Sequence, residues 1–337
     1  MLAESESESF IEIPYYVGLL QYLKMKFEIA KVINTAIKTQ QSYICRVPGN
    51  IGNILSKQLR KKGIPYAVEI VGDPWTVFAP HTFNHVLRPF IRISSYLRLK
   101  KTVKKSSVAL YVTKYNLQKR YPVSNNITAI NASNVILPDK SKVSRPKIFN
   151  KKKNEIINII SIGSLAQMYK APDIAIEGIK VLSERGWNCH LTWLGDGIYK
   201  DKMIKYAAKM NVAENVHFIG SIPSGDGIWE ALSKSDLFIL VSRTEGLPRS
   251  MIEAMAMGLP CIGTFVGGIP ELLDKKALIV PNNSIILANK IEELFSSSEL
   301  INHLAEENYI AAGNYKESVL IEKRQTFYNE IINLSEK

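Results

Sequence analysis

Two acidic side chains, Glu245 and Glu253, stand with seven residues between them in the run Glu245-Gly246-Leu247-Pro248-Arg249-Ser250-Met251-Ile252-Glu253. The apolar stretch Asp236–Val241 precedes them and reads as a strand; Ala254 to Pro260 follows, where Gly258 and Pro260 end a helix. One carboxylate therefore sits just before a helix and the other inside it. Gly246 leaves the loop free to turn, and Pro248 suits a first helical position, where a missing N–H costs nothing. A strand feeding a helix in a parallel sheet aims unpaired backbone N–H groups into the crevice where such sheets bind ligands. Carboxylates accept hydrogen bonds from sugar hydroxyls while backbone N–H groups hold phosphate. Together they describe a site for a nucleotide-sugar. The plain alternative is that Arg249 and Glu253, four apart on one helix face, form a solvated ion pair of little consequence.

The surroundings favour the first reading. Leu247, Met251, Ile252 and Met255 make an apolar face that anchors the helix. Further on, Gly267-Gly268-Ile269-Pro270-Glu271 reads as a second Gly-rich turn opening a helix after a short strand. Two helix N-termini are thus expected to converge.

The run EGLP…EAMAMGLP…GGIPELL resembles the C-terminal domain of the family 4 retaining glycosyltransferases, which have the GT-B fold. The resemblance covers Ile156 to Pro281 strongly and both flanks more weakly. Its landmarks come in the right order: Gly163 at a strand end, Lys170-Ala-Pro-Asp173, Leu194-Gly195-Asp196-Gly197, and Val216 to Gly220. The resemblance implies a sugar transferred from a UDP- or GDP-linked donor to a glycan or lipid-linked acceptor, in bacterial surface-polysaccharide assembly, without metal or cofactor. It makes Lys170 the clamp on the leaving diphosphate, Glu245 the contact to the donor sugar and Glu253 the acceptor of ribose hydroxyls. Gly163, Ser164, Gly195, Asp196, Gly197 and Gly220 would border the nucleotide, and Gly246, Leu247 and Pro248 would form the donor loop. Ser164 stands near the place where the family usually has an Arg, so Arg243 or Arg249 is expected to supply the second cation. In the first half, Asp73 stands at the end of a strand where the family often carries a His, and is the candidate for the sugar or acceptor side. Arg46, Thr113 and Lys114 end neighbouring strands and are expected on the acceptor side. Two other readings stay open: a catalytically impaired nucleotide-sugar-binding protein, and a GT-B-type sugar-nucleotide epimerase.

Those residues need a scaffold that presents strand ends to a cleft. The chain alternates apolar runs with helical periods. Strands are expected at 43–47, 66–71, 108–112 and 135–137, then near 156–162, 189–194, 215–219, 236–241, 260–264 and 277–280. This is an α/β pattern in two copies, two Rossmann-like doubly wound units facing a cleft. The expected boundaries are 1–150 for an acceptor-side domain and 151–318 for a nucleotide-sugar domain, with a last helix near 319–334 crossing back to the first. The polar, Lys-rich stretch Pro138–Glu155 reads as the linker. The chain opens on an acidic run and moves straight into a helix, so the first strand and glycine loop of the family's N-terminal domain are expected to be missing.

Composition sets the frame. The 337 residues are 46% hydrophobic and 22% charged, as in a globular protein. No run approaches the ~20 apolar residues that span a bilayer. Three scattered cysteines, Cys45, Cys189 and Cys261, have neither zinc nor disulfide spacing and are expected to be buried and reduced, in a cytoplasmic protein. The net charge of +12 is lopsided: residues 1–150 hold 23 Lys/Arg against 8 Asp/Glu, and the remainder 20 against 23. The excess is densest over residues 88–105, where cations interleave with Phe90, Ile91, Ile93, Tyr96 and Leu97. That pattern suits the anionic surface at the inner face of a cell membrane better than nucleic acid, for which no recognition motif is present.

Overall fold

The computed structural model describes residues 10–39, 41–80, 85–140, 142–223 and 225–335. The acidic opening run lies outside them. In the first half α1 (Gly18–Ala36) leads to β1 (Ile44–Val47), α2 (Asn50–Lys62), β2 (Ala67–Ile70), the short α3 (Pro74–Val77), α4 (Arg88–Lys104), β3 (Val108–Tyr111), α5 (Asn116–Arg120) and β4 (Thr128–Asn131). The four strands form one parallel sheet in sequential order. The expected strand at 135–137 is replaced by Thr128–Asn131, which pairs with β3; Leu137 makes only an isolated bridge to Lys316.

Alternating side chains load both faces of this sheet. Cys45, Val47, Val68, Ile70, Ala109 and Tyr111 pack against α1, α2 and α4. Ala67, Val108 and Leu110 face the other way, onto Leu320, Phe327 and Ile331 of the last helix, α12 (Glu317–Ser335). Residues 138–155 carry no helix or strand among those described, and Phe149 within them is buried in the core of the second half.

That second half runs β5 (Ile157–Ile162), α6 (Pro172–Glu184), β6 (Cys189–Leu194), α7 (Lys200–Lys209), β7 (Val216–Gly220), α8 (Asp226–Ser233), β8 (Leu237–Leu240), α9 (Arg249–Ala256), β9 (Cys261–Thr264), β10 (Leu278–Ile279), α10 (Ser284–Ser296) and α11 (Ser298–Ala312). The sheet is parallel, in the order β10-β9-β8-β5-β6-β7. Strands β8, β5 and β9 are almost wholly buried and read as continuous apolar runs, as a parallel sheet covered on both faces requires. From β5 the chain moves outward one way through β6 and β7, then returns to β8 on the other side. This reversal makes the carboxyl ends of β5 and β8 the topological switch point, where open α/β sheets place their ligands. Gly163 and Ser242 lie at those two ends.

Cys45, Cys189 and Cys261 are unpaired and buried. Burial pushes the thiols of Cys45 and Cys189 up to about 12 and that of Cys261 higher still. Thiolate is the reactive form. At pH 8 the native chain should therefore show no fast reaction with a thiol-specific disulfide reagent, while the denatured chain releases three equivalents; rapid native labelling would contradict this packing.

Candidate functional site

At the switch point a lysine and a glutamate meet. Lys170, in the single 3-10 turn Met168–Lys170 before α6, donates from Nζ to Glu245 Oε1 at 2.5 Å. Both side chains are buried, 10% and 7% exposed. Ser242 Oγ donates to the same oxygen at 2.6 Å, and the Ser242 carbonyl accepts from Thr264 Oγ1 at 2.6 Å. The carboxylate is thus held by the ends of β8 and β9, and the ammonium by the turn after β5. Gly163 makes the approach possible: a Cβ there would lie 3.0 Å from both Cγ and Cδ of Lys170. Removing one member of so buried a pair leaves an uncompensated charge, worth roughly 3–5 kcal/mol.

Helix α9 begins beside this pair. Pro248 is its N-cap rather than its first helical residue, and Ser250 Oγ donates to the Ile162 carbonyl at 3.2 Å, seating the helix start over the end of β5. The first N–H groups of α9 have no intrahelical acceptor and carry the positive end of its dipole. Met251, Ile252 and Met255 are fully buried, and Glu253 is nearly so. Glu253 Oε1 accepts from Arg249 Nε at 2.9 Å. Arg249 itself is 64% exposed, so the ion pair is real, but its carboxylate half is inside the protein. Glu253 does not touch the Lys170–Glu245 pair. The loop 245–247 is pressed from behind by Gly267, whose φ of +55° and close approach exclude a side chain: a Cβ would fall 1.9 Å from the Glu245 carbonyl. Gly268 N–H donates to the Gly246 carbonyl at 2.8 Å, while Leu247 packs on the core.

A cleft of about 400 Å³ opens over Glu245, with Gln167, Tyr169, Thr244 and Gly246 on one wall. Gly72, Asp73 and Val77 of the N-terminal half form the other. Asp73 is therefore at the cleft, but its carboxylate is committed. Oδ1 accepts from the Trp75 N–H at 2.9 Å, capping α3, and from Tyr121 OH at 2.6 Å, and Oδ2 is ion-paired with Arg120. The residue expected on the sugar or acceptor side thus lines the cleft while its carboxylate holds α3, Tyr121 and Arg120 together. Burial pushes the Tyr121 phenol up to about 12, so it stays a donor to Asp73 at any physiological pH.

The cation expected from Arg243 is also spent on structure. Its guanidinium forks onto Asp173, 3.1 and 2.7 Å, and also donates to the Met168 carbonyl and to Asn282 Oδ1. Its backbone N–H donates to the Tyr169 carbonyl at 2.7 Å. Arg243 thus pins the turn that carries Lys170. Ser164 closes a local turn onto Ala166 and contacts the Asp196 carbonyl. The Gly195-Asp196-Gly197 loop crosses the 163–166 loop, with Leu165 N–H donating to Asp196 O at 2.8 Å, and Gly195 N–H reaches the Gly220 carbonyl at 2.8 Å. These glycines shape the rim of the switch point through backbone contacts.

The three acceptor-side candidates fall elsewhere. Arg46 lies mid-strand opposite Glu69, 3.7 Å away, on the sheet face it shares with Arg324 of α12. Thr113 is buried, and its hydroxyl accepts from the Leu117 N–H and donates to Gln118. Lys114 gives its backbone N–H to Glu271 Oε2 at 2.5 Å. Glu271 also takes the N–H groups of Tyr115 and Asn116, and Asn116 Nδ2 donates to the Gly267 carbonyl at 3.0 Å. The turn expected to open a second helix is a 3-10 turn, Ile269–Glu271, whose acid reaches across to cap α5 in the other half. This clasp went unread in the sequence; the acid at the end of the Gly267–Glu271 motif was the available signal. Among the described residues no group of three or more His, Cys, Asp or Glu is placed to hold a metal ion.

Residues 141–310 match the family model described as glycosyl transferases group 1, half of the chain. The chain belongs to that family. It is a glycosyltransferase of the GT-B fold. Protein CapJ of Staphylococcus aureus is 29% identical, the match covering 98% of this chain and 83% of that protein. The O-antigen biosynthesis glycosyltransferase WbnH of Escherichia coli is 32% identical over 35% of this chain and 32% of its own length. Among solved structures, sucrose-phosphate synthase from Thermosynechococcus elongatus superposes with a TM-score of 0.72 at 14% identity, covering 94% of this chain and 81% of that one. Anabaena HepE, in complex with UDP-glucose, superposes with a TM-score of 0.65 at 14% identity, covering 89% and 81%. In this glycosyltransferase the switch-point pair lies within the residues that the family model matches and Asp73 lies before them.

Two substitutions separate these roles. Asp73→Asn should cost roughly 2–4 kcal/mol of unfolding free energy while leaving nucleotide binding by the folded fraction within about threefold. Lys170→Met should abolish nucleotide binding at a comparable stability cost. Equilibrium denaturation and calorimetric titration with UDP read both; loss of binding in the Asp73 variant with stability intact would return that residue to the ligand.

Proposed function

We propose that this glycosyltransferase moves a sugar from a nucleoside diphosphate, UDP or GDP, to a hydroxyl of a glycan or lipid-linked acceptor, with retention at the anomeric carbon, as in family 4. The observation that carries the reading is the buried Lys170–Glu245 contact beside the start of α9. Before the donor binds, ammonium and carboxylate neutralise each other. A diphosphate entering over the α9 N-terminus offers Lys170 a second anionic partner, and Glu245 is then available to accept from the donor sugar's hydroxyls. Glu253, held by Arg249 one turn into α9, takes the ribose hydroxyls.

The chemistry needs little else. The acceptor oxygen attacks the anomeric carbon from the face that the diphosphate leaves, the C–O bond to phosphate breaks, and the acceptor proton passes to the departing phosphate oxygen. Negative charge grows on the diphosphate as that bond breaks. In this reading Lys170 and the α9 N–H groups stabilise that charge, as preorganised dipoles lower a barrier. In this account they do the work that a divalent cation does elsewhere. The O-antigen role in the name of WbnH and the UDP-glucose in HepE support a surface-polysaccharide setting and a UDP-linked donor. In that setting the chain would work at the cytoplasmic face of the membrane.

A thermal-shift series with UDP, GDP and their sugars tests donor choice. Ligand at 100 times its Kd should stabilise the fold by about 2.7 kcal/mol. Transfer followed by proton NMR should give a product with the donor's anomeric configuration, unchanged by EDTA. Inverted product, or activity lost to chelator and restored by magnesium, would overturn the mechanism.

A further inference from the structure

Two helices of the N-terminal half turn large apolar side chains outward. On α1 these are Leu20, Leu23 and Phe27, exposed by 77%, 51% and 83%; on α4 they are Phe90, Ile93 and Leu97, exposed by 72%, 51% and 56%. The offsets of three and four are the same on both helices, so each trio forms one stripe. The opposite sides of the same helices do the packing: Tyr22, Ile29 and Ile33 of α1 and Leu99 and Val103 of α4 share one core cluster. Each helix is thus apolar inside and out, and an exposed apolar patch of this extent marks an interaction surface.

The two helices flank α2, which packs against each, and all three lie on the sheet face opposite α12. Burial pushes the Tyr22 phenol up, and the charge of Arg98 on α4 opposes that shift. Charge then selects the occupant. Helix α4 contains no acidic residue and exposes Arg98, Lys101 and Lys104; α1 exposes Lys24, Lys26 and Lys31 against the single acid Glu28. A second copy of the chain would set one cationic face against another. An anionic bilayer matches both features at once, its phosphates meeting the cations and its acyl boundary the apolar stripes.

We propose that α1 and α4 together form a platform that docks on an anionic phospholipid surface, the six apolar side chains entering the headgroup boundary. This deepens the proposed function, since it rests on a lipid-linked acceptor being presented at such a surface, and it extends the contact beyond residues 88–105 to α1.

Flotation of the full chain with vesicles tests the platform. With equal phosphatidylglycerol and phosphatidylcholine the chain should float; with phosphatidylcholine alone it should stay behind. Phe27→Ser with Phe90→Ser should cut the bound fraction on the order of tenfold per residue. Lys101→Glu with Lys104→Glu should cut it by about fivefold or more per charge, leaving the apolar stripes intact. The UDP thermal shift of every variant should match the parent, so failure here is distinguishable from failure of the donor site. A parent chain that ignores anionic vesicles, or variants that float as well as it does, would overturn the proposal. So would light scattering that finds a dimer dissolved by the phenylalanine changes, which would assign the stripes to a second copy.

Discussion

A buried ammonium and a buried carboxylate are costly to desolvate, and the second domain is built so that each compensates the other. Lys170 and Glu245 come from different strand ends, 75 residues apart in sequence, and meet at 2.5 Å. Their encounter depends on the turn that Arg243 pins, the gap that Gly163 leaves, and the hydroxyl relay from Thr264 through the Ser242 loop. A pair of this kind adds little net stability against an apolar replacement. Its persistence is better understood as readiness: the charges are already desolvated and oriented, so a ligand that substitutes for one partner meets no reorganisation cost from solvent.

The same logic explains which residues the sequence exposed. Strands β5 to β10, and the order of the landmarks along them, were legible because parallel strands buried on both faces leave unbroken apolar runs, and the glycines between them mark loop crossings. Glu245, Glu253 and Lys170 stand out in the sequence because one acid precedes α9, another lies inside it, and a lysine precedes α6, each beside such a run; the structure brings Lys170 and Glu245 together. The partners of Asp73 and Arg243 were not legible, for one reason. Type and position along the chain put a charge at the cleft, but not the partners that neutralise it, and Arg120, Tyr121 and Asp173 come from elements that adjacency in sequence does not connect to them. The strand at 128–131 was missed because three of its four side chains, Thr128, Ala129 and Asn131, lack the bulk that marks a strand, whereas the apolar trio 135–137 imitates one.

The halves are joined more tightly than a linker implies. Helix α12 leaves the second domain and completes the core of the first, burying Leu320 and Phe327 against Val108 and Leu110. Near the cleft, Glu271 accepts three backbone N–H groups at the start of α5, and the adjacent Gly267 carries both the Asn116 contact and the pressure on the Glu245 loop. One short segment therefore touches the domain interface and the donor loop together. Gly267 and Gly268 thus connect the contact between the halves to the backbone of Glu245 and Gly246.

The two halves also divide the physical labour. Residues 151–337 are close to neutral and carry the charge-paired site, while the first 150 carry the whole cationic excess. The field of exposed cations is screened within about a Debye length of 8 Å at physiological salt, so they act mainly on what approaches their own surface. What they can govern is encounter. A platform with cations around apolar stripes fixes which way the protein faces a surface, and the cleft between the halves is fixed to that platform through β2, whose far end supplies Gly72 and Asp73. On the reading proposed above, orientation belongs to the first domain and the charge-paired site to the second, and a substitution on the outer faces of α1 or α4 should act on the approach of acceptor more than on the bond-breaking step.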